Sequence, residues 1–181
     1  MSEELDLLIL VVDRLDALSI PSMVSGSIAM NVYAEPRMTR DIDIVVAIRA
    51  ADVDAIVAAF ADDFYCDREM IRHALDHEGS FNLIHTPTVI KVDFLLRKNT
   101  PYRLVEFGRR RALTVGGHVI HVVAPEDLVL SKLAWAKPSH SEVQLRDVRN
   151  LIACVPDLDW RYLERWAADL TVTDLLAEVR P

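Results

Sequence analysis

Asp41 and Asp43 stand two residues apart in the run Asp41-Ile42-Asp43-Ile44-Val45-Val46. On an extended strand, residues i and i+2 share a face, so both carboxylates project to one side and Ile42, Ile44 and Val46 to the other. Two carboxylates side by side repel, and the placement costs stability unless a cation lies between them. Magnesium favours such oxygen ligands and keeps water and phosphate oxygens in its other positions. A second alternating run, Val89–Leu96, turns Lys91 and Asp93 one way and Ile90, Val92 and Phe94 the other. If this strand neighbours the first, Asp93 completes a three-acid cluster. Such a cluster can hold two metal ions and clamp the attacking and leaving oxygens of an in-line displacement at phosphorus.

Gly26-Ser27 supplies the phosphate end of the same chemistry. A glycine lets the backbone approach a ligand closely, and the helix opening there offers free N–H groups to an anion. The Ser27 hydroxyl can donate to a phosphate oxygen.

Ser25-Gly26-Ser27 followed, after residues 28–40, by Asp41-Ile42-Asp43 resembles the Gly-Ser and Asp-x-Asp signature of the DNA polymerase β-like nucleotidyltransferase superfamily. Lys91-Val92-Asp93 resembles its third acid. Arg37-Met38-Thr39-Arg40, Pro125-Glu126-Asp127-Leu128, Lys132 and Arg146-Asp147 extend the similarity to minimal bacterial nucleotidyltransferases of the AbiEii toxin type, over roughly residues 20–150. The resemblance implies a minimal nucleotidyltransferase fold, an α/β mixed sheet flanked by helices with a helical C-terminal part. It implies that Asp41, Asp43 and Asp93 bind Mg2+, with Asp93 also taking the proton of the attacking hydroxyl. Gly26, Ser27, Arg40 and Lys132 would bind the nucleotide, with Arg37 an alternative to Arg40 and Asp147 a further site acid. The implied activity moves a nucleoside monophosphate from an NTP, such as ATP, to an acceptor hydroxyl on an RNA 3′ end, a protein or a small molecule. It extends to a toxin with an antitoxin partner. A non-catalytic nucleotide- or partner-binding module of the same fold is the alternative, and a metal-dependent phosphohydrolase or nuclease a third reading.

The elements that must position these residues are legible as patterns. Leu5, Leu8, Ile9, Val12 and Leu15 recur at helical spacing behind Ser2, predicting a helix over Glu3–Leu18 that stops before Pro21. A short strand over 22–25 and a helix to Tyr33 precede the Asp41–Val46 strand. Val53, Ile56, Val57 and Phe60 mark a third helix, and Arg68–Leu75 a fourth. Ser80–His85 reads as a strand, and Thr114–Val123 as a hairpin around Gly116-Gly117. Helices are expected at about 125–136, 141–153, 159–169 and 173–179. The catalytic core is therefore expected over 1–124, with residues 125–181 a helical extension packed on it.

The chain has 181 residues, 51% apolar and 27% charged, enough to bury a core. Its formal charge of -8 is unlike a general nucleic-acid coat, although a local basic patch can act within an acidic protein. Cys66 and Cys154 sit in no ligand-like spacing, and no apolar run approaches a membrane span, so a cytoplasmic setting is expected. His73 and His77 have the spacing of a helical metal pair, but a solvated helix face is the better reading. Arg109-Arg110-Arg111 fits a solvated strand edge or a nucleic-acid contact. Trp135, Trp160 and Trp166 read as core or helix-packing residues.

Overall fold

The computed structural model describes residues 2–36, 39 and 41–180. Arg37 and Arg40, the two arginines expected near phosphate, lie outside the described residues.

In chain order the elements are α1 (Glu3–Ala17), β1 (Ser22–Val24), α2 (Gly26–Tyr33), β2 (Ile42–Val46), a 3-10 turn (Ala50–Asp52), α3 (Val53–Phe60), β3 (Phe64–Tyr65) and α4 (Arg68–Asp76). They continue with β4 (Ser80–His85), β5 (Ile90–Leu96), α5 (Pro101–Gly108), β6 (Arg111–Val115), β7 (His118–Val122), α6 (Pro125–Ala136), α7 (Glu142–Cys154), α8 (Trp160–Asp169) and α9 (Thr173–Val179). Caps follow their sequence signals: Ser2 accepts from the Leu5 N–H, Asp67 from Glu69 and Met70, and Asp159 from Tyr162.

The strands form one seven-stranded sheet in the order β3-β4-β5-β2-β1-β7-β6. β2 pairs antiparallel with β1 and parallel with β5, while β7 joins β1 in parallel at Val24 and Val122. The sheet is therefore mixed, as expected. The inward residues of β2 and β5 (Ile42, Ile44, Val46, Val92 and Phe94) are buried, so alternation fixes which face carries the aspartates. Buried side chains from the sheet and from α6 to α9 belong to one apolar cluster. Tyr33, at the end of α2, donates its hydroxyl to the Val123 carbonyl at 2.8 Å and ties the helix to the start of the C-terminal helices.

Two elements differ from the sequence reading. Pro101–Gly108 is a helix, and Phe64–Tyr65 adds an edge strand antiparallel to β4. Of the tryptophans expected as core or helix-packing residues, Trp166 is buried at 7% exposure, whereas Trp135 is 54% exposed. On α6 the core is filled instead by Leu128, Val129, Leu130 and Leu133, which leaves Trp135 at the surface.

Candidate active site

β1 ends at Val24, and the chain turns into α2 through Ser25 and Gly26. The Ser25 N–H bonds the Asp43 carbonyl at 2.9 Å, which locks this turn to β2. Gly26 has φ +60°, a conformation that costs an L side chain energy. A Cβ at Gly26 would lie 1.9 Å from Asp43 Oδ2, so the first residue of α2 packs directly on the carboxylate. Both requirements select glycine. They place the free N–H end of α2 against the acid on β2, the juxtaposition needed to hold phosphate beside a carboxylate-bound cation.

The parallel register pairs Asp43 with Asp93, and across the next ladder Asp93 with Asn82. Asp41 is exposed just before β2, while Asp43 and Asp93 are half-buried. Burial first, then the carboxylates of Asp93 and Asp41, push the Asp43 carboxyl above its ordinary range, with Lys132 and Lys91 opposing. Lys91 Nζ lies 2.7 Å from Asp93 Oδ2, and this hydrogen bond raises the Lys91 pKa. The donor set is therefore all carboxylate oxygen with a mutual repulsion that a hard cation relieves, and it fits magnesium. Among the described residues, the three acid or histidine side chains with ligand atoms within 4.8 Å of one another are His140, Glu142 and Glu178 rather than the aspartates. That exposed group already receives Arg149, 3.7 Å from Glu142 and 3.2 Å from Glu178.

A cleft of about 430 Å³ opens from Ser25, Gly26, Ser27 and Asp43 across the sheet face, roofed by α5 and α6. Lys132 lines it and forms a buried ion pair with Asp147 at 2.8 Å, supported by Gln144 at 3.3 Å. Asp147, expected as a further site acid, meets Lys132 across the two helices, so α6 and α7 together orient the lysine. The exposed indole of Trp135, one turn beyond Lys132, lines the same cleft.

Further polar residues on α5, α6 and α8 have no site role in the sequence reading, although Glu126 and Asp127 stand in its Pro125–Leu128 motif and Arg103, Glu106 and Ser131 line the cleft. Arg103 bonds Glu106 and Ser131, each at 2.8 Å, and Ser131 donates to Glu106 at 2.6 Å. Arg109 bonds Glu126 at 2.9 Å and the fully buried Asp127 at 3.0 Å, and Tyr162 donates to Asp127. Burial raises the Asp127 carboxyl, against the hydrogen bonds from Tyr162 and Arg109. These bonds clamp α5, α6 and α8 together and set the roof over the cleft. The Arg109–Arg111 run thus splits: Arg109 enters this network and Arg111 begins exposed on β6. His73 and His77 are exposed, with rings 4.1 Å apart, on one face of α4 and its cap.

An antigenic nucleotidyltransferase-like protein from Paracoccidioides brasiliensis superimposes over 98% of this chain and 93% of its own, at 19% identity and TM-score 0.61. The chain has a nucleotidyltransferase-like fold. The antibiotic-resistance factor ANT(2")-Ia, in complex with adenylyl-2"-tobramycin, aligns over 94% of this chain and 98% of its own, at 13% identity and TM-score 0.61. The lincomycin-bound lincosamide antibiotic adenylyltransferase LnuA aligns over 86% and 98%, at 12% identity and TM-score 0.55. No protein-family model and no curated protein matches the sequence. No described helix is long and apolar enough to cross a membrane.

Proposed function

We propose that this chain is a magnesium-dependent nucleotidyltransferase that moves a nucleoside monophosphate from an NTP to an acceptor hydroxyl. The observation that carries the reading is Gly26 packed on Asp43, with Asp93 as the register partner of Asp43. The fold shared with two adenylyltransferases supports it.

In this reading the N–H groups opening α2 and the Ser27 hydroxyl bind the triphosphate, and Lys132, fixed by Asp147, faces it from α6. Asp41, Asp43 and Asp93 would hold Mg2+, which supplies charge neutralisation at the transferred phosphoryl group. The acceptor oxygen forms a bond to the α-phosphorus, the bond to the bridging oxygen breaks, and pyrophosphate leaves with that electron pair. Asp93 takes the hydroxyl proton. Lys91 balances Asp93 before the substrates arrive.

The finer assignment to the AbiEii toxin type draws support from Lys132 and Asp147, which meet in one buried ion pair. It implies growth arrest on expression, relieved by an antitoxin, in an intracellular setting.

The test is incubation with each α-labelled NTP, magnesium and RNA, protein or small-molecule acceptors. Label should reach an acceptor and pyrophosphate should be released, and both should vanish in Asp41→Asn and Asp43→Asn. Transfer that survives both substitutions refutes the assignment, and so does the absence of transfer to any acceptor class.

A further inference from the structure

β5 runs from the acid cluster to a second cationic centre. Asp93 and Leu95 share parity on this strand, and Arg97, just past its end, lines the same cleft as Gly26 and Asp43. Four residues at ~3.3 Å each separate Asp93 from Arg97 by roughly 13 Å. The Arg97 N–H bonds the Val46 carbonyl at 2.9 Å, so its backbone is fixed to β2.

Arg97 is next to Arg110. The guanidinium carbon of Arg97 lies 5.6 Å from the centroid of the Phe107 ring, and that of Arg110 lies 4.4 Å from the same ring. Burial, then the charge of Arg97, lowers the Arg110 pKa. Like charges in such proximity ordinarily have an acid between them. This chain has 28 acidic residues against 20 basic ones, yet among the described residues no carboxylate forms an ion pair with either arginine. Arg97 Nη2 donates only to the Asn99 side chain at 2.8 Å, and Arg110 Nη1 to the Phe107 carbonyl at 2.6 Å. The Nε atoms of both are buried without a hydrogen-bond partner, and they are the two such side-chain atoms among the described residues. A buried N–H without an acceptor is costly and rare in a folded protein. A second cavity of about 350 Å³ shares Arg97 with the cleft, so this arginine is reachable from two sides.

We propose that Arg97 and Arg110 form an anion site that binds a phosphate group carried by the acceptor. A phosphate accepts from two planar guanidinium forks at once and supplies the missing negative charge. In the transferase reading the triphosphate of the NTP is held at Gly26 and Ser27, which leaves Arg97 to a second anionic group in the same cleft. A ligand with its hydroxyl at the aspartates and a phosphate ~13 Å away spans the two centres. A nucleic-acid backbone and a small phosphorylated acceptor share this chemistry. The assignment of the occupant as the acceptor rests on the transferase reading above; the anion site itself does not.

Calorimetric titration without NTP tests the site directly, using inorganic phosphate, ribose 5-phosphate and a short single-stranded RNA with a free 3′-hydroxyl as probes. The proteins are the wild type, Arg97→Gln, Arg110→Gln, the double variant and Arg97→Lys, each checked for an unchanged melting temperature. The expected result is binding of at least one probe by the wild type, weakened about tenfold in each Gln variant, with ATP–magnesium affinity held within twofold. Arg97→Lys, which keeps the charge and loses the fork, should fall between. Tightest binding of RNA assigns a nucleic-acid backbone, and of ribose 5-phosphate a small acceptor. Wild-type binding no tighter than the double variant for all three probes overturns the site. Loss of ATP affinity in step with probe affinity overturns its assignment to the acceptor. Failure of the transferase reading would appear separately, as absent label transfer with anion binding intact.

Discussion

Replacing Gly26 by alanine tests the contact on which the site is built. The new Cβ would stand 1.9 Å from Asp43 Oδ2, 2.6 Å from its Cγ and 2.9 Å from its Cβ, so the acid, the turn or both must move. The backbone at φ +60° adds a second cost, because alanine in the left-handed region loses about 1–2 kcal/mol. Overpacking typically costs about 1–3 kcal/mol more. The sum is about 2–5 kcal/mol, and at roughly 2–4 °C per kcal/mol for a domain of this size the melting temperature should fall by about 4–20 °C. Two of the three clashing atoms belong to the Asp43 carboxyl group. Gly26→Ala combined with Asp43→Ala should therefore recover about 1–2 kcal/mol relative to the sum of the single changes. Calorimetric melting of the four proteins reads this coupling, and α-labelled ATP transfer by Gly26→Ala should be abolished. Melting of Gly26→Ala within 1 °C of wild type, or strict additivity in the cycle, would refute the packing argument.

Lys132 and Asp147 are 6% and 5% exposed, so Lys132→Met or Asp147→Asn alone should cost about 3–5 kcal/mol by stranding a buried charge. The double change Lys132→Met/Asp147→Leu should regain most of that stability in denaturant titration without regaining transfer. Arg14 bonds Asp63 through two hydrogen bonds at 2.6 and 2.8 Å, and this bonding holds the Asp63 carboxyl below its ordinary range. A depressed folded-state pKa gives stability that is complete above the unfolded value of ~3.9 and lost as pH falls through the folded value. The gap of about 1 kcal/mol between wild type and Asp63→Asn at pH 6 should therefore close below pH ~4 in urea titrations. Trp135 lines the cleft beside Lys132, so ATP–magnesium should quench intrinsic tryptophan fluorescence in the wild type, and Trp135→Phe should remove the quenching while moving the melting temperature by less than ~2 °C.

The parts of the fold that were legible in the sequence are those where burial follows a simple period. β2 and β5 alternate strictly because one face is core and the other carries the site, and α1 repeats its apolar positions against the sheet. α5 escaped because its buried positions are Tyr102, Glu106 and Phe107, and a buried glutamate breaks the apolar stripe. That burial depends on Arg103 and Ser131, and the serine lies on another helix. The two-residue strand β3 is too short to show a period. Most of α6 is buried, including Glu126, Asp127 and Lys132, so a helical stripe cannot mark which of its residues face the cleft. Asp41, Asp43, Asp93 and Gly26 were placed by strand parity and turn chemistry, which are local. The Lys132–Asp147 pair and the Arg97–Arg110 centre join separate elements, and sequence spacing contains no term for them.

The late strand β7 has a consequence for the timing of synthesis. β1, which ends at the Gly26 turn, is flanked on one side by β2 and on the other by β7 through Val24 and Val122. While the ribosome has released the chain only through β5, the aspartates can pair, but β1 is an outer strand with unsatisfied backbone groups. The Gly26 turn gains its second wall when β7 docks, and Tyr33 finds the Val123 carbonyl in the same event. Lys132 and Asp147 emerge later still. Under the proposed function, nascent chains should bring Asp43 and Asp93 together early and gain nucleotide affinity last.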